Sequence, residues 1–228
     1  MRTATYVLAA AVLLLICGQL QAAVLVSPVI IDACQVKAGT EFVITLTNIK
    51  PESQIVYLDW GWFSLHTDGT VELDTAVDIA VNYLDAVSTY CSLDPGASRK
   101  ITVKVINQDF TAITPVLFLS LTKDQIQSRL AVLFVLSTAV ADQPLQVEQV
   151  YRSESGWQIR AVNPNSAHVF FTGTAEIYQA GEVVDRIPLG RYLLLANSKR
   201  DIPLPANQAA DRIVVRSAQL RNDLVVLP

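Results

Sequence analysis

The apolar residues of this chain fall in short runs with a period of two, separated by turn-forming sequences. The runs are rich in Val, Ile, Leu and aromatic residues, and the turns include "KAG", "TDG", "DPGAS", "NPNS" and "QAGE". A period of two predicts β-strands with one buried face. No long segment places apolar residues at three-and-four spacing between helix caps, so the sequence predicts an all-β protein.

The predicted strands form two series. The clearest strands of the first series are Glu41–Asn48, Gln54–Leu65, Arg99–Ile106, Pro115–Thr122 and Leu130–Thr138. The apolar pattern stops at "AVADQPL", where Pro144 cannot continue a hydrogen-bonded ladder, and a second series follows. These spacings favour two β-sandwich domains, at 23–139 and 146–228, joined by a linker at 140–145.

The first 22 residues predict an export signal. Arg2 precedes an apolar stretch from Tyr6 to Cys17, and Ala22 is a small residue at which signal peptidase could cleave. Ile16 stands before Cys17 where a lipoprotein signal has a small residue, which argues against lipidation. The apolar stretch is shorter than the ~20 residues of a membrane-spanning helix. We therefore expect an exported protein that does not span the membrane.

Charge and motif content argue against several function classes. Removal of Arg2 with the leader changes the formal net charge from −4 to −5, which leaves no basic field for nucleic acid. The two histidines, His66 and His168, lie beside turns without clustered ligand residues, so neither a metal nor a cofactor is expected. The sequence has no Gly-x-Ser-x-Gly elbow and no phosphate-binding glycine loop, so we expect no enzymatic activity.

Two cysteines remain after the leader, Cys34 and Cys91. An even number in an exported chain is compatible with one disulfide between them. The alternative is two separate buried thiols, because a single pair at long spacing is a weak signal. Both alternatives stay open on the sequence alone.

The stretch "RLAVLFVLSTAV", from Arg129 to Val140, is apolar on both faces of a strand. One interpretation is an edge strand that packs one face into its own core and offers the other face to a partner. The alternative is a strand covered on both faces, by its own sandwich or by the neighbouring domain. On another strand Trp60 and Trp62 share a face, and burial in the core is favoured there over a binding platform.

Several short motifs occur in the order and spacing of a known family. They are "SPVIID", "VITLTN", "YLDWGW" and "LDPGASRKITVKV" in the first part, and "NPNSAHV" and "LLANSKRDIPL" in the second. On these motifs the chain resembles the periplasmic chaperones of the chaperone–usher pilus pathway over most of its length after the leader. The second-part motifs are imperfect, because Asn165 or Ser166 stands where the family has glycine, and Ala196 and Asn197 stand where it has Pro-Gly. The resemblance implies a periplasmic protein with two immunoglobulin-like domains set at an angle.

The resemblance also implies a way of binding. In that family the last strand of the first domain inserts alternating apolar side chains into the open groove of an incomplete pilin subunit. Leu130, Val132 and Phe134 fall on those positions, while Leu133 and Val135 would hold the strand to its own domain. We therefore expect these three residues to bind a pilin-like or other β-rich protein subunit during assembly at the cell surface.

The chain departs from the family at the carboxylate anchor. The family holds the subunit's terminal carboxylate with two basic residues, one on the first strand and one near the end of the first domain's last strand. This sequence has no Lys or Arg between Ala22 and Lys37, nor between Arg129 and Arg152. Because such charged contacts supply both energy and register, carboxylate capture is not expected here. The alternative function is a structural or interaction protein of a surface assembly that keeps the two-domain fold.

Overall fold

The computed structural model describes residues 23–75, 80–86, 88–123, 126–154, 156–205 and 211–226. The predicted signal peptide, 1–22, lies outside the described residues. Within the described ranges the regular elements are strands and one short 3₁₀ helix, Ala80–Asn82. No helix in these ranges has the length and hydrophobicity that crossing a membrane requires.

The N-terminal domain consists of two facing sheets. Its strands are β1 (Val24–Ser27), β2 (Ile30–Ala33), β3 (Glu41–Asn48), β4 (Gln54–Leu65), β5 (Val71–Asp74), β6 (Leu84–Ala86), β7 (Tyr90–Leu93), β8 (Ser98–Val105), β9 (Ala112–Ile113), β10 (Pro115–Lys123) and β11 (Ile126–Ser137). One sheet has the order β1-β3-β8-β6. The other has the order β2-β11-β10-β4, with β5 and β7 on the far side of β4 and β9 beside the end of β11.

The core between these sheets follows from the period-two pattern. The predicted strands Glu41–Asn48 and Gln54–Leu65 coincide with β3 and β4. On β4 every second residue from Val56 to Trp60 is buried, and Trp62 packs against the same core from its edge. Packing of both tryptophans in the core is therefore confirmed, with Trp60 buried and Trp62 partly buried.

The C-terminal domain is a second sandwich with its own core. Its strands are β12 (Gln146–Ser153), β13 (Gly156–Val162), β14 (Val169–Gln179), β15 (Glu182–Leu194), β16 (Lys199–Pro203), β17 (Arg212–Arg216) and β18 (Leu224–Val226). They form sheets of order β12-β13-β16 and β15-β14-β17-β18. The buried cluster of this domain includes Ile159, Phe171 and Ile177. The all-β class and the two-domain sandwich fold are confirmed.

The chain changes sheet between its first two strands. β1 pairs with β3 in one sheet, and β2 pairs in parallel with β11 in the other. The cis Ser27–Pro28 peptide lies between the two strands. Because β2 has only four residues, it covers Leu133–Leu136 and no more of β11.

The possible disulfide between Cys34 and Cys91 is not formed. Both thiols are free, Cys34 at the surface and Cys91 in the core. Cys34 directly follows β2, and Cys91 lies on β7, which is separated from β2 by β11, β10 and β4. Four strand spacings amount to roughly 19 Å, against the ~4.4–6.8 Å between the Cα atoms of a disulfide. The order of strands in the sheet therefore keeps the two thiols apart. The number of cysteines in the sequence could not show this separation.

Candidate partner-binding edge

One side of β11 is an unpaired sheet edge over about half of the strand. β10 pairs with β11 from Ile126 to Leu133, and β2 pairs with the opposite side from Leu133 to Leu136. Beside Ile126–Val132, no strand of the described ranges occupies that opposite side. We call this segment the β11 edge. An open edge presents unpaired N–H and C=O groups to which another strand can add.

The hydrogen bonding of the neighbouring residue identifies which backbone groups are open. Leu133 donates its N–H across this side to the carbonyl of Val29, with an N···O distance of 3.0 Å. The backbone groups of a strand alternate between its two sides, and the register from β10 to β11 is unbroken. Arg129 and Ala131 therefore direct their N–H and C=O groups outward from the β11 edge, whereas Leu130 and Val132 direct theirs toward β10.

The predicted assignment of the two faces of β11 is wrong. Val132 and Phe134 are fully buried in the core of their own domain, and Leu130 is partly buried against it. Phe134 packs against Phe42 and Trp60, with ring centroids 6.0 and 5.7 Å apart. Side chains enclosed in this way cannot also fill a partner's groove. The opposite face, with Ala131, Leu133 and Val135, is turned away from this core.

That outer face is largely covered by the second domain. Val135, Val116 and Phe118 form a cluster against which Phe170, Leu193 and Leu195 of the C-terminal domain pack. The stretch is therefore apolar on both faces because each face meets a different domain. This arrangement is the covered strand that the sequence left as an alternative.

The end of the sheet beyond this cover is exposed. Ile55 and Tyr57 on β4 and Tyr90 on β7 keep 50%, 51% and 59% of their surface accessible. The two tyrosine rings lie side by side with centroids 6.5 Å apart. This exposed aromatic surface belongs to the same sheet as the β11 edge and lies on β4 and β7, two and three strands away from it.

Arg129 gives the β11 edge a polar character. Its guanidinium lies 3.7 Å above the centroid of the Phe118 ring and 3.5 Å from a carboxylate oxygen of Asp59. Both charged side chains remain well exposed, so this ion pair contributes little to stability. The two residues of the β11 edge with outward backbone groups thus carry one charged side chain, Arg129, and one small side chain, Ala131. The edge does not present the series of large apolar side chains that the sequence suggested.

β2 lacks the basic residue that the family has on its first strand, but a basic residue from the C-terminal domain lies next to β2. The sequence did not predict this contact. Asp32 of β2 forms an ion pair with Arg191 of the C-terminal domain at 3.1 Å. Burial raises the pKa of the Asp32 carboxyl, and the charge of Arg191 opposes that rise. Arg191 also stacks over Phe170, with 3.6 Å between the guanidinium carbon and the ring centroid. A basic residue at this interface is therefore supplied by β15 of the second domain, and it is paired within the same chain.

Histidine and acidic residues do not gather into a ligand set in the described part of the chain. No group of three or more His, Cys, Asp or Glu side chains there could hold a metal ion. His66 is exposed and contacts Glu72, while His168 lies between the domains.

Solved structures share this fold. The class 5 fimbriae chaperone CfaA aligns with a TM-score of 0.51 at 10% identity, over 90% of this chain and 98% of that one. A chain of the CsuC–CsuE chaperone–tip adhesion subunit pre-assembly complex, from the archaic chaperone-usher Csu pili of Acinetobacter baumannii, aligns with a TM-score of 0.53 at 11% identity, over 90% and 97%. The YadV chaperone gives 0.53 at 11% identity, over 90% and 100%.

This chain has the fold of the fimbrial chaperones. The alignments span both domains, so the resemblance seen in the sequence motifs is confirmed at the level of the fold. No protein-family model matches the sequence, and no curated protein matches it. Identities of 10–11% leave the fold as the common property of this chain and the fimbrial chaperones.

Proposed function

We propose that this protein is a periplasmic, non-enzymatic chaperone-like protein that binds an incomplete β-sandwich subunit, such as a pilin, by strand addition along the β11 edge. The observation behind the proposal is the open backbone of Arg129 and Ala131 on β11, in a segment that pairs with β10 on its other side. A subunit that lacks a strand has its own unpaired backbone groups, and pairing satisfies both chains at once. The chaperone folds of CfaA and YadV support the same role.

The mechanism differs from the one that the sequence motifs imply. Since Val132 and Phe134 are committed to the core, binding would rely on backbone pairing at the β11 edge rather than on insertion of large side chains. No basic residue lies on β11 beyond Arg129, so the partner's terminus would not be fixed by a charge on this strand.

The test is a proline that removes one outward N–H. Ala131→Pro deletes the open donor and leaves the ladder to β10 intact, and proline is tolerated on edges where the N–H faces solvent. Ala131→Val is the matched control, because it has similar bulk and keeps the N–H. Each protein is co-expressed with candidate pilin-like subunits exported to the same compartment, and the co-purified subunit is measured.

Loss of one backbone bond with its partner left unsatisfied costs about 1–3 kcal/mol, so we expect binding to weaken by about 5-fold to 150-fold in Ala131→Pro. Ala131→Val should bind as the wild type does. If the proline variant folds with wild-type circular dichroism and melting temperature yet retains the subunit fully, strand addition at this edge is wrong.

A second function is favoured by the covered outer face of β11. The packing of Phe170 and Leu193 over Val135 leaves that face without a role in partner binding, as expected for a structural or interaction protein of a surface assembly. Such a protein would co-purify with a stable assembly component whose binding is equal in wild type, Ala131→Val and Ala131→Pro.

A further inference from the structure

The interface between the two domains contains a histidine whose two ring nitrogens are both engaged. His168 precedes β14, and its Nδ1 lies 3.1 Å from the backbone nitrogen of Ala196. Its Nε2 lies 3.2 Å from the carbonyl oxygen of Ile113 in the N-terminal domain. The backbone N–H of His168 donates to the hydroxyl of Ser137 at the end of β11. One residue therefore joins the C-terminal domain to two strands of the N-terminal domain.

These partners fix the protonation state of the ring. A backbone N–H can only donate, so Nδ1 must accept and carry no proton. A carbonyl oxygen can only accept, so Nε2 must carry the proton. The arrangement is thus specific for the neutral imidazole with its proton on Nε2. A second proton on Nδ1 would place two donors against each other at Ala196 and remove that hydrogen bond.

The surroundings disfavour the charged ring. Burial lowers the pKa of His168 below its ordinary value, and the hydrogen bond to Ile113 opposes this only in part. The groups that face the ring from the neighbouring segments are uncharged, and no carboxylate contributes to the pKa. Ionisable residues on the adjoining segments have partners of their own: Lys199 pairs with Glu148, Arg191 of β15 pairs with Asp32 of β2, and Arg200 donates to the carbonyl of Leu193. Asp142 lies in the linker.

We propose that His168 is a pH-sensitive latch between the domains, which is closed when the ring is neutral and released when it is protonated. Release would separate Phe170 and Leu193 from Val116 and Val135, and so uncover the apolar outer face beside β11. The pKa of His168 is lowered in the folded chain, so the latch stabilises the closed state fully above the unfolded value of about 6.5. That contribution is lost as the pH falls through the lower pKa that His168 has in the folded chain.

The test combines two measurements on the full chain. The protein has only two histidines, so ring resonances of His66 and His168 can be assigned by substitution and titrated by NMR. Small-angle X-ray scattering between pH 8 and pH 5 reports the separation of the domains. We expect His168 to titrate below about 6.5 and the radius of gyration to rise on acidification.

Matched variants isolate the histidine. His168→Gln offers one donor and one acceptor but cannot titrate in this range, and it should remove the acid-dependent expansion. His66→Gln should leave the expansion unchanged. Arg191→Ala removes an ion pair between the domains, the one with Asp32, and should retain the pH response. Equal expansion in His168→Gln and wild type would overturn the latch, as would titration of His168 at or above 6.5. If His168→Gln does not fold, the NMR titration and the wild-type scattering decide.

Discussion

Replacement of Phe134 by alanine tests which face of β11 belongs to the core. Phe134 is fully buried and packs against Phe42 and Trp60. Truncation of a buried phenylalanine to alanine typically costs about 3–5 kcal/mol, because apolar burial is lost and a cavity remains. We therefore expect Phe134→Ala to lower the free energy of unfolding by that amount, out of a total of about 5–15 kcal/mol.

Leu133→Ala is the control on the opposite face of the same strand. Leu133 is partly exposed and touches the cluster shared with the C-terminal domain, so we expect its truncation to cost less than about 2 kcal/mol. Urea unfolding followed by both far-UV circular dichroism and tryptophan fluorescence measures the two costs, and coincident transitions check that unfolding is two-state.

The result that contradicts this assignment is a reversal of the two costs. If Phe134→Ala lost less than about 1 kcal/mol while Leu133→Ala lost more, Phe134 would not be a core residue. Retained stability with selective loss of partner binding in Phe134→Ala would restore the insertion of this side chain into a partner. The stability measurement and the binding measurement thus separate the two interpretations of the strand.

Two further predictions concern the thiols and a partly buried ion pair. Alkylation under native conditions, with peptides identified by mass spectrometry, should modify exposed Cys34 rapidly and Cys91 only after unfolding, because burial shields the Cys91 thiol and raises its pKa; rapid native modification of Cys91 would contradict its place in the core. Arg160 holds the carboxylate of Asp201 through bonds of 2.8 and 3.0 Å, which lower the pKa of Asp201. The stability lost in Arg160→Met should therefore be full at pH 7 and should shrink as the pH falls below the ordinary Asp value of about 3.9, as measured by urea unfolding across pH; a loss that does not change with pH would contradict this ion pair.

Strand positions could be predicted because they depend on local pattern. The period of two predicted Glu41–Asn48 and Gln54–Leu65 with the observed bounds, since each strand has one apolar face and clear turn residues at its ends. β11 was predicted to begin at Leu130, but it begins at Ile126. Gln127, Ser128 and Arg129 are polar and give no period-two signal, and these residues are in the strand because they pair with β10. The short strands β2 and β5 to β7 have too few residues for a periodic signal.

What the sequence determined by itself is that "RLAVLFVLSTAV" forms a strand with two apolar faces and no cation near its end. The tertiary structure alone decided what each face meets. Phe134 faces Phe42 and Trp60, whereas Val135 meets Phe170 and other residues of the second domain. A period of two shows which residues share a face, but both faces of this strand are apolar. The pattern therefore does not tell which face lies in the core and which meets the second domain; this depends on residues that are distant in sequence. The same holds for His168, whose partners at Ile113 and Ala196 come together only when the two domains meet.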